Sequence, residues 1–442
     1  MHRIVKSPFA VGAAMALVLT AFASGSRADV APPSWMASQA KTPDVDHKVE
    51  GAFPDALPLI GFDTNTGLGL GVGAHLTING SRKDPFFAYT PYRHRLYVQG
   101  YATTGGYQQH VLSYDGVYVG DSPFRLKAVL TFERNINANY FGNGESTLSQ
   151  LNYRGQSYGT YDDAVAAAGS RYYHYGYDKP QAQVMLERGF WGGRLRAHYG
   201  LNVQHVDITR YEPPSAFSTA TKLGADCASG AALGCDGGWN NVLRGGVAFD
   251  TRDFEPDPNS GVLIDANGQW SAKGFGSSAD YLRFTAAARF YVSPFPKVTD
   301  LVIAARVLYS IQSANVPFFA LNTLAMAAGS DDATDQTGLG GERTLRGYRQ
   351  DRFVGRVAAA ASAEIRWTFV KFPLLKQRFS LQIAPFVDTG RVFDKVDLSF
   401  KDWKIAAGAG LRIGWNQSTI VMFDFGASRE DTGFFIDFGM PF

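Results

Sequence analysis

Two cysteines, eight histidines and the segment around Arg346 carry whatever chemistry this chain has. Cys227 and Cys235 lie eight apart in a Gly/Ala-rich stretch, which suits a local disulfide in an oxidising compartment. No neighbouring His or Cys completes a zinc set, so no metal site is expected. The histidines, His75, His110, His174, His198 and His205 among them, fall in no nucleophile motif, and the chain does not read as an enzyme. Gly338 to Gly341 lacks the Gly-Lys-Ser/Thr continuation of a phosphate cradle, and no cofactor is expected. A guanidinium such as that of Arg346 and carboxylates such as those of Glu364 and Asp388 would bond bidentately, with geometric specificity, wherever a fold brought them together in a confined, partly desolvated place.

The elements that must position them are strands. An aromatic content of 14% and 48 Gly beside only 19% charged residues favour β-structure. A net charge of +2 gives no basic field for nucleic acid, and none is expected as a partner. Beyond residue 25 no apolar stretch reaches the ~18 residues of a membrane helix, which excludes a polytopic helical protein and leaves a β-barrel open.

From residue 57 onward, segments of roughly ten residues alternate apolar with polar or small side chains, the signature of transmembrane strands. Leu68, Leu70, Val72, Ala74, Leu76 and Ile78 share one face, with Gly67, Gly69, Gly71, Gly73, His75, Thr77 and Asn79 on the other. Leu301, Ile303, Ala305, Val307, Tyr309 and Ile311 oppose Arg306, Ser310 and Gln312. Charges are costly against lipid, so the polar faces look into a lumen. The pattern predicts strands near 57–63, 67–79, 94–103, 107–119, 124–135, 180–189, 193–207, 240–252, 261–272, 280–292, 300–313, 355–370, 379–390, 403–415, 418–427 and 432–442. The expected fold is therefore all-β: a 16-stranded antiparallel transmembrane β-barrel. The long connections 136–179, 208–239 and 314–354 then share one side, and the turns at 120–123, 191–193 and 416–418 share the other with both termini.

Residues 1–28 read as a signal peptide, with His2, Arg3 and Lys6 before an apolar run and Ser26-Arg27-Ala28 as the cleavage site. An uncleaved anchor is the competing reading. Residues 29–56 follow as a short periplasmic leader, and 57–442 form the barrel. Phe434, Ile436, Phe438, Met440 and Phe442 share a face and end the chain on an aromatic carboxylate. Phe438 and Phe442 thereby resemble the signal read by barrel-assembly machinery. That machinery and outer-membrane lipid are the expected partners, in the outer membrane of a Gram-negative bacterium with both termini periplasmic.

Bare stretches at Gly67 to Gly73 and at Gly408, Gly410 and Gly414 either admit another backbone or ease barrel curvature. Alternation places charges of both signs in the lumen: Arg125, Lys127, Arg194, Arg196, Asp250, Arg283, Arg289, Arg306, Arg366, Arg412, Asp424 and Asp437. A mixed network favours a plugged or gated lumen over a single-sign ion filter.

Gly340-Gly341-Glu342-Arg343-Thr344-Leu345-Arg346-Gly347-Tyr348 resembles the (Val/Ile)-Arg-Gly-(Phe/Tyr) loop of the BamA/TamA, or bacterial surface antigen, superfamily, with Leu345 in place of Val or Ile. Family-like stretches follow its order: Phe249 to Asp253 with Pro258 and Gly261, Ala363 to Arg366, Phe386 to Gly390, Gly408 to Arg412, and Phe438 to Phe442. The resemblance implies that the long loop folds back into the lumen and that its arginine meets acids on the inner wall. Alternation independently puts Glu364 and Asp388 there, so Arg346 is expected between them, with Gly347 making a tight turn and Tyr348 offering a ring and a hydroxyl. An ordinary external loop is the bland alternative. The chain departs from the family in length: about 28 residues between cleavage site and first strand hold no POTRA domain, which puts its way of capturing clients in doubt. Three function classes remain. One is assembly, translocation or lipid homeostasis through a seam between first and last strands, with a separate periplasmic protein or client as a possible partner. The others are a passive or gated solute pore and an outer-membrane enzyme.

Overall fold

The computed structural model describes residues 48–84, 86–87, 90–212, 220–253, 257–324, 338–374, 377–415 and 419–442. The signal peptide, most of the leader and the turn at 416–418 lie outside the described residues.

Alternation of lipid-loving and polar side chains can be satisfied all round only by a closed sheet, and the chain makes one. In chain order its strands are β1 (Gly51–Asp63), β2 (Gly67–Gly80), β3 (His94–Thr103), β4 (Tyr107–Gly116), β5 (Phe124–Asn139), β6 (His174–Phe190), β7 (Leu195–Thr209) and β8 (Val242–Asp250). Then come β9 (Gly261–Ser271), β10 (Tyr281–Val292), β11 (Asp300–Gln312), β12 (Val357–Leu374), β13 (Gln377–Phe393), β14 (Lys404–Trp415), β15 (Thr419–Ala427) and β16 (Thr432–Phe438). Each pairs antiparallel with the next, and β16 returns to β1 to close the ring of sixteen. A two-residue strand, Gly238–Trp239, adds to the end of β7 through Val206 and His205 outside the ring.

Faces follow the sequence pattern. Leu70, Val72, Val98, Val247, Leu282 and Val307 are exposed on the outside, as a lipid-facing belt requires, while Arg306, Glu364, Arg366, Asp388, Arg412 and Asp424 are buried inside. The register carries this inward: Glu364 lies opposite Phe386, and Ser362 opposite Asp388.

Boundaries differ where local propensity misled. β1 begins at Gly51, so residues 51–56 are strand rather than leader, despite Pro54 and Pro58. A strand with one largely unpaired edge tolerates proline, whose missing N–H then costs no ladder bond. β1 pairs with β2 from end to end, but with β16 only at Phe62 opposite Ile436 and Asp63 opposite Phe435. β5 and β6 run on to Asn139 and back from His174, shortening the first long loop.

β16 stops at Phe438 instead of continuing to Phe442. Gly439 takes a positive φ of 101°, and the tail turns into the lumen. Phe442 therefore lies against the inward-facing Tyr291, Val302 and Ala304, not on the outer face of Phe434 and Phe438. Arg366 donates to its backbone oxygen at 3.1 Å, and Arg306 donates to that of Pro441 at 3.3 Å. Desolvated guanidiniums supply the donors that the tail would have found in a ladder.

The long loops gather at one rim. Loop 140–173 carries a short hairpin, Leu151–Tyr153 with Gln156–Tyr158, and a helix, Tyr161–Ala168, whose Thr160 caps the Asp163 N–H. The next loop carries the helix Lys222–Ser229 and the Cys227–Cys235 disulfide. Tyr140 and Tyr175 meet Phe318 of the third loop edge-on at 5.5 and 5.2 Å, so the loops pack on one another through aromatic rings.

Candidate functional site

The luminal site is built on residues 338–354, in the loop between β11 and β12, and the inner wall of β11 to β16. Arg346 is 1% exposed. Its Nε and Nη2 donate to the two oxygens of Asp388 at 2.8 and 2.9 Å, and its Nη1 donates to Glu364 at 2.6 Å and to Asp424 at 2.8 Å. Its backbone N–H also reaches Asp388 at 3.2 Å. The guanidinium lies 3.4 Å from the ring centroid of Phe386.

Two wall arginines complete the set. Arg366 donates to Glu364 at 2.8 Å; Arg412 pairs with Asp424 and lies 3.7 Å from Glu364. Three guanidiniums thus face three carboxylates, all nearly inaccessible to water. A balanced, mutually hydrogen-bonded cluster can persist in a dry interior, whereas any single member left alone there could not.

Glycines decide how closely the loop approaches. A Cβ on Gly426 or Gly433 would overlap the Arg346 carbonyl, and one on Gly347 would overlap the Ala427 backbone. Gly347 stands in the expected tight turn, closed by the Tyr348 N–H donating to the Leu345 carbonyl at 3.0 Å, but its φ is not positive, so it is the close approach that demands glycine there. The glycines singled out by sequence serve other neighbours. Gly69 and Gly71 make room for Tyr101 and Gly73 for Tyr97, while Gly408 and Gly410 make room for Phe386, Arg412 and Asp424.

Tyr348 stands apart from the ions. Its ring clusters with Leu324, Leu339, Leu345 and Val392 and meets Phe353 at 5.1 Å, in an apolar core that the loop shares with the barrel wall. Arg346, Glu364 and Asp388 are therefore brought together as expected. Asp424, Arg412 and Phe386 join them, though sequence reasoning did not pair them. The signal was present: Asp424 and Arg412 occupy inward positions of β15 and β14 by the same alternation that located Asp388.

Asp351, further along the loop, accepts from the Gly338 N–H and the Asn322 amide, both at 2.8 Å, with no cation among the described residues at hydrogen-bond distance. Burial pushes its carboxyl up to about 6 despite those donors. Among the described residues, no group of three His, Cys, Asp or Glu side chains is placed to hold a metal ion. The cluster offers no nucleophile with an adjacent base; what it can do is hold the loop.

Known proteins repeat this architecture. BamA from Haemophilus ducreyi, in a crystal structure lacking POTRA domains 1–3, superposes with a TM-score of 0.53 at 14% identity, over 89% of this chain and 71% of that one. CdiB from Escherichia coli superposes with a TM-score of 0.52 at 10% identity, over 89% of this chain and 63% of the longer CdiB chain. At these identities the likeness is one of fold. No curated protein matches the sequence. Residues 36–93 match a domain of unknown function, DUF5982. Residues 112–433, from β4 through the arginine loop to β16, match the Omp85 superfamily domain, and the chain belongs to that superfamily.

Proposed function

We propose that this Omp85 barrel serves outer-membrane protein assembly, translocation or lipid homeostasis, with a lumen gated by loop 313–356. An Omp85 barrel resides in the outer membrane of a Gram-negative bacterium. In our reading both termini face the periplasm and the rim of long loops faces outward. The observation that carries the reading is the seam: β1 meets β16 at two residue pairs, against pairing of β1 with β2 along its whole length. An edge left this open is where a client strand or a lipid tail can enter the wall. Arg346 and its carboxylates serve as a structural lock for the loop, and the function is passage and pairing, not catalysis. Mixed luminal charge argues against a simple ion-selective pore.

Planar-bilayer conductance of the refolded mature chain tests this, comparing it with a deletion of Ala314 to Arg352. A closed wild type and a conducting deletion are expected. A steady open pore in both would overturn the gated reading and make the chain a solute channel.

A further inference from the structure

β16 is poorly held by β1, yet it is gripped at both ends by the loop and its luminal partners. At the rim of long loops, Arg349 donates Nη1 to the Thr64 carbonyl at 2.8 Å and Nε to Asp431 at 2.6 Å. Thr64 lies in the β1–β2 turn and Asp431 in the β15–β16 turn. One guanidinium therefore spans the two hairpins that flank the seam. It is mostly shielded from water, at 15% exposure against 11% for Asp431, and lies 4.3 Å from the Tyr161 ring centroid.

Neighbouring contacts repeat the span. The Gln350 N–H donates to Asn65 of the first turn at 3.1 Å, while Arg352 grips Glu430 of the last turn with Nε and Nη2 at 2.5 and 2.9 Å. Thr64 Oγ1 accepts from the Phe434 N–H at 2.8 Å and donates to the Phe434 carbonyl at 3.2 Å, standing in for the strand partner that β16 lacks there. At the other end, Arg343 of the loop pairs with Asp437 of β16 at 3.0 Å. Arg306 donates both to the Arg343 carbonyl and to the Pro441 carbonyl of the tail.

We propose that the loop is the latch of the seam: Arg349 fastens β16 to the β1–β2 turn, Arg343 fastens its far end, and displacement of the loop releases the last strand. The charge-assisted bonds of Arg349 and Arg352, held largely away from water, outweigh two ladder pairs at an open edge. The proposal rests on the reading that the seam is the working part of the barrel, and it names what keeps that seam shut.

Hydrogen exchange of the full chain in detergent, read by mass spectrometry, tests it without requiring any client. Arg349→Gln is expected to speed exchange across Thr432–Phe438 by about tenfold or more, the factor for losing one charge-assisted bond. Thr64→Val, which keeps the shape and loses the hydroxyl, should act in the same direction and carries the test if Arg349→Gln does not assemble. Exchange in Val357–Phe393 should stay unchanged in both variants. A disulfide from Phe62→Cys with Ile436→Cys should restore protection to Arg349→Gln. Unchanged exchange in β16, or an equal rise in β12 and β13, overturns the latch. That result would leave the conductance comparison untouched, and a conducting wild type would in turn leave the latch untouched.

Discussion

Arg346 meets Asp388 side-on, with two nearly equal hydrogen bonds of 2.8 and 2.9 Å from Nε and Nη2 to the two carboxylate oxygens. This geometry leaves Nη1 free to reach Glu364 and Asp424, so one side chain of the loop ties together β12, β13 and β15.

Removal of that guanidinium leaves three carboxylates facing two arginines in a dry interior. Arg346→Ala should therefore lower stability by roughly 3–5 kcal/mol, the cost of an uncompensated buried charge. Lower heat-modifiable stability and higher antibiotic permeability are the readouts. Unchanged mobility on both scores would refute the lock.

Asp388→Ala should resemble Arg346→Ala, and the double variant should cost clearly less than the sum, because the first change already breaks the shared network. Additive effects in a double-mutant cycle would mean that the two residues act separately.

A small change that removes no charge should have a similar effect. Gly433→Val or Gly426→Val puts a side chain where the Arg346 carbonyl lies, forcing the loop off the wall. Increased protease cleavage within residues 338–354 is expected. Gly51→Ala, where nothing lies near the added carbon, isolates its own positive φ as the only strain and should leave the loop protected.

Asp351 predicts a pH dependence. Its folded carboxyl titrates near 6, above the usual carboxylate value, so the folded state holds the proton more tightly than the unfolded one. Its contribution to stability is then fullest below about pH 4 and is lost as pH rises through 6. Asp351→Asn keeps a side chain tolerant of the positive φ of 56° at this site and should flatten the thermal midpoint between pH 4 and 7. A slope equal to that of wild type would rule Asp351 out as its source.

The disulfide belongs to the loops, not to the barrel. Replacing Cys227 and Cys235 by Ser should release about 2.5 kcal/mol of chain-entropy stabilisation within the closed segment. Protease sensitivity near residues 220–240 should rise while heat-modifiable mobility of the barrel stays the same.

Much of this was legible in the sequence because a barrel wall obeys a two-residue period with opposite solvents on its faces. Strand number, the faces of Arg306, Glu364 and Asp388, and the meeting of Arg346 with the two acids all follow from that period. The errors lie where another force governs. Residues 51–56 read as leader, yet β1 extends back to Gly51 past Pro54 and Pro58 because its edge toward β16 is open. Phe442 continues the outward pattern of β16, yet Gly439 turns it inward to the guanidiniums of Arg306 and Arg366. The Tyr and Phe residues that join the loops have no period, and contacts between distant loops leave no local trace.

The arginine of the lock precedes all of its acids in the chain: Glu364, Asp388 and Asp424 arrive on successive later parts of the wall. The β12–β13 hairpin therefore brings two carboxylates and β15 a third to a positive charge already made, and within the lock three acids answer three arginines that all lie beyond the eleventh strand. The lock is thus complete within the last five strands and the loop that precedes them, and its charge balance does not wait on the rest of the ring.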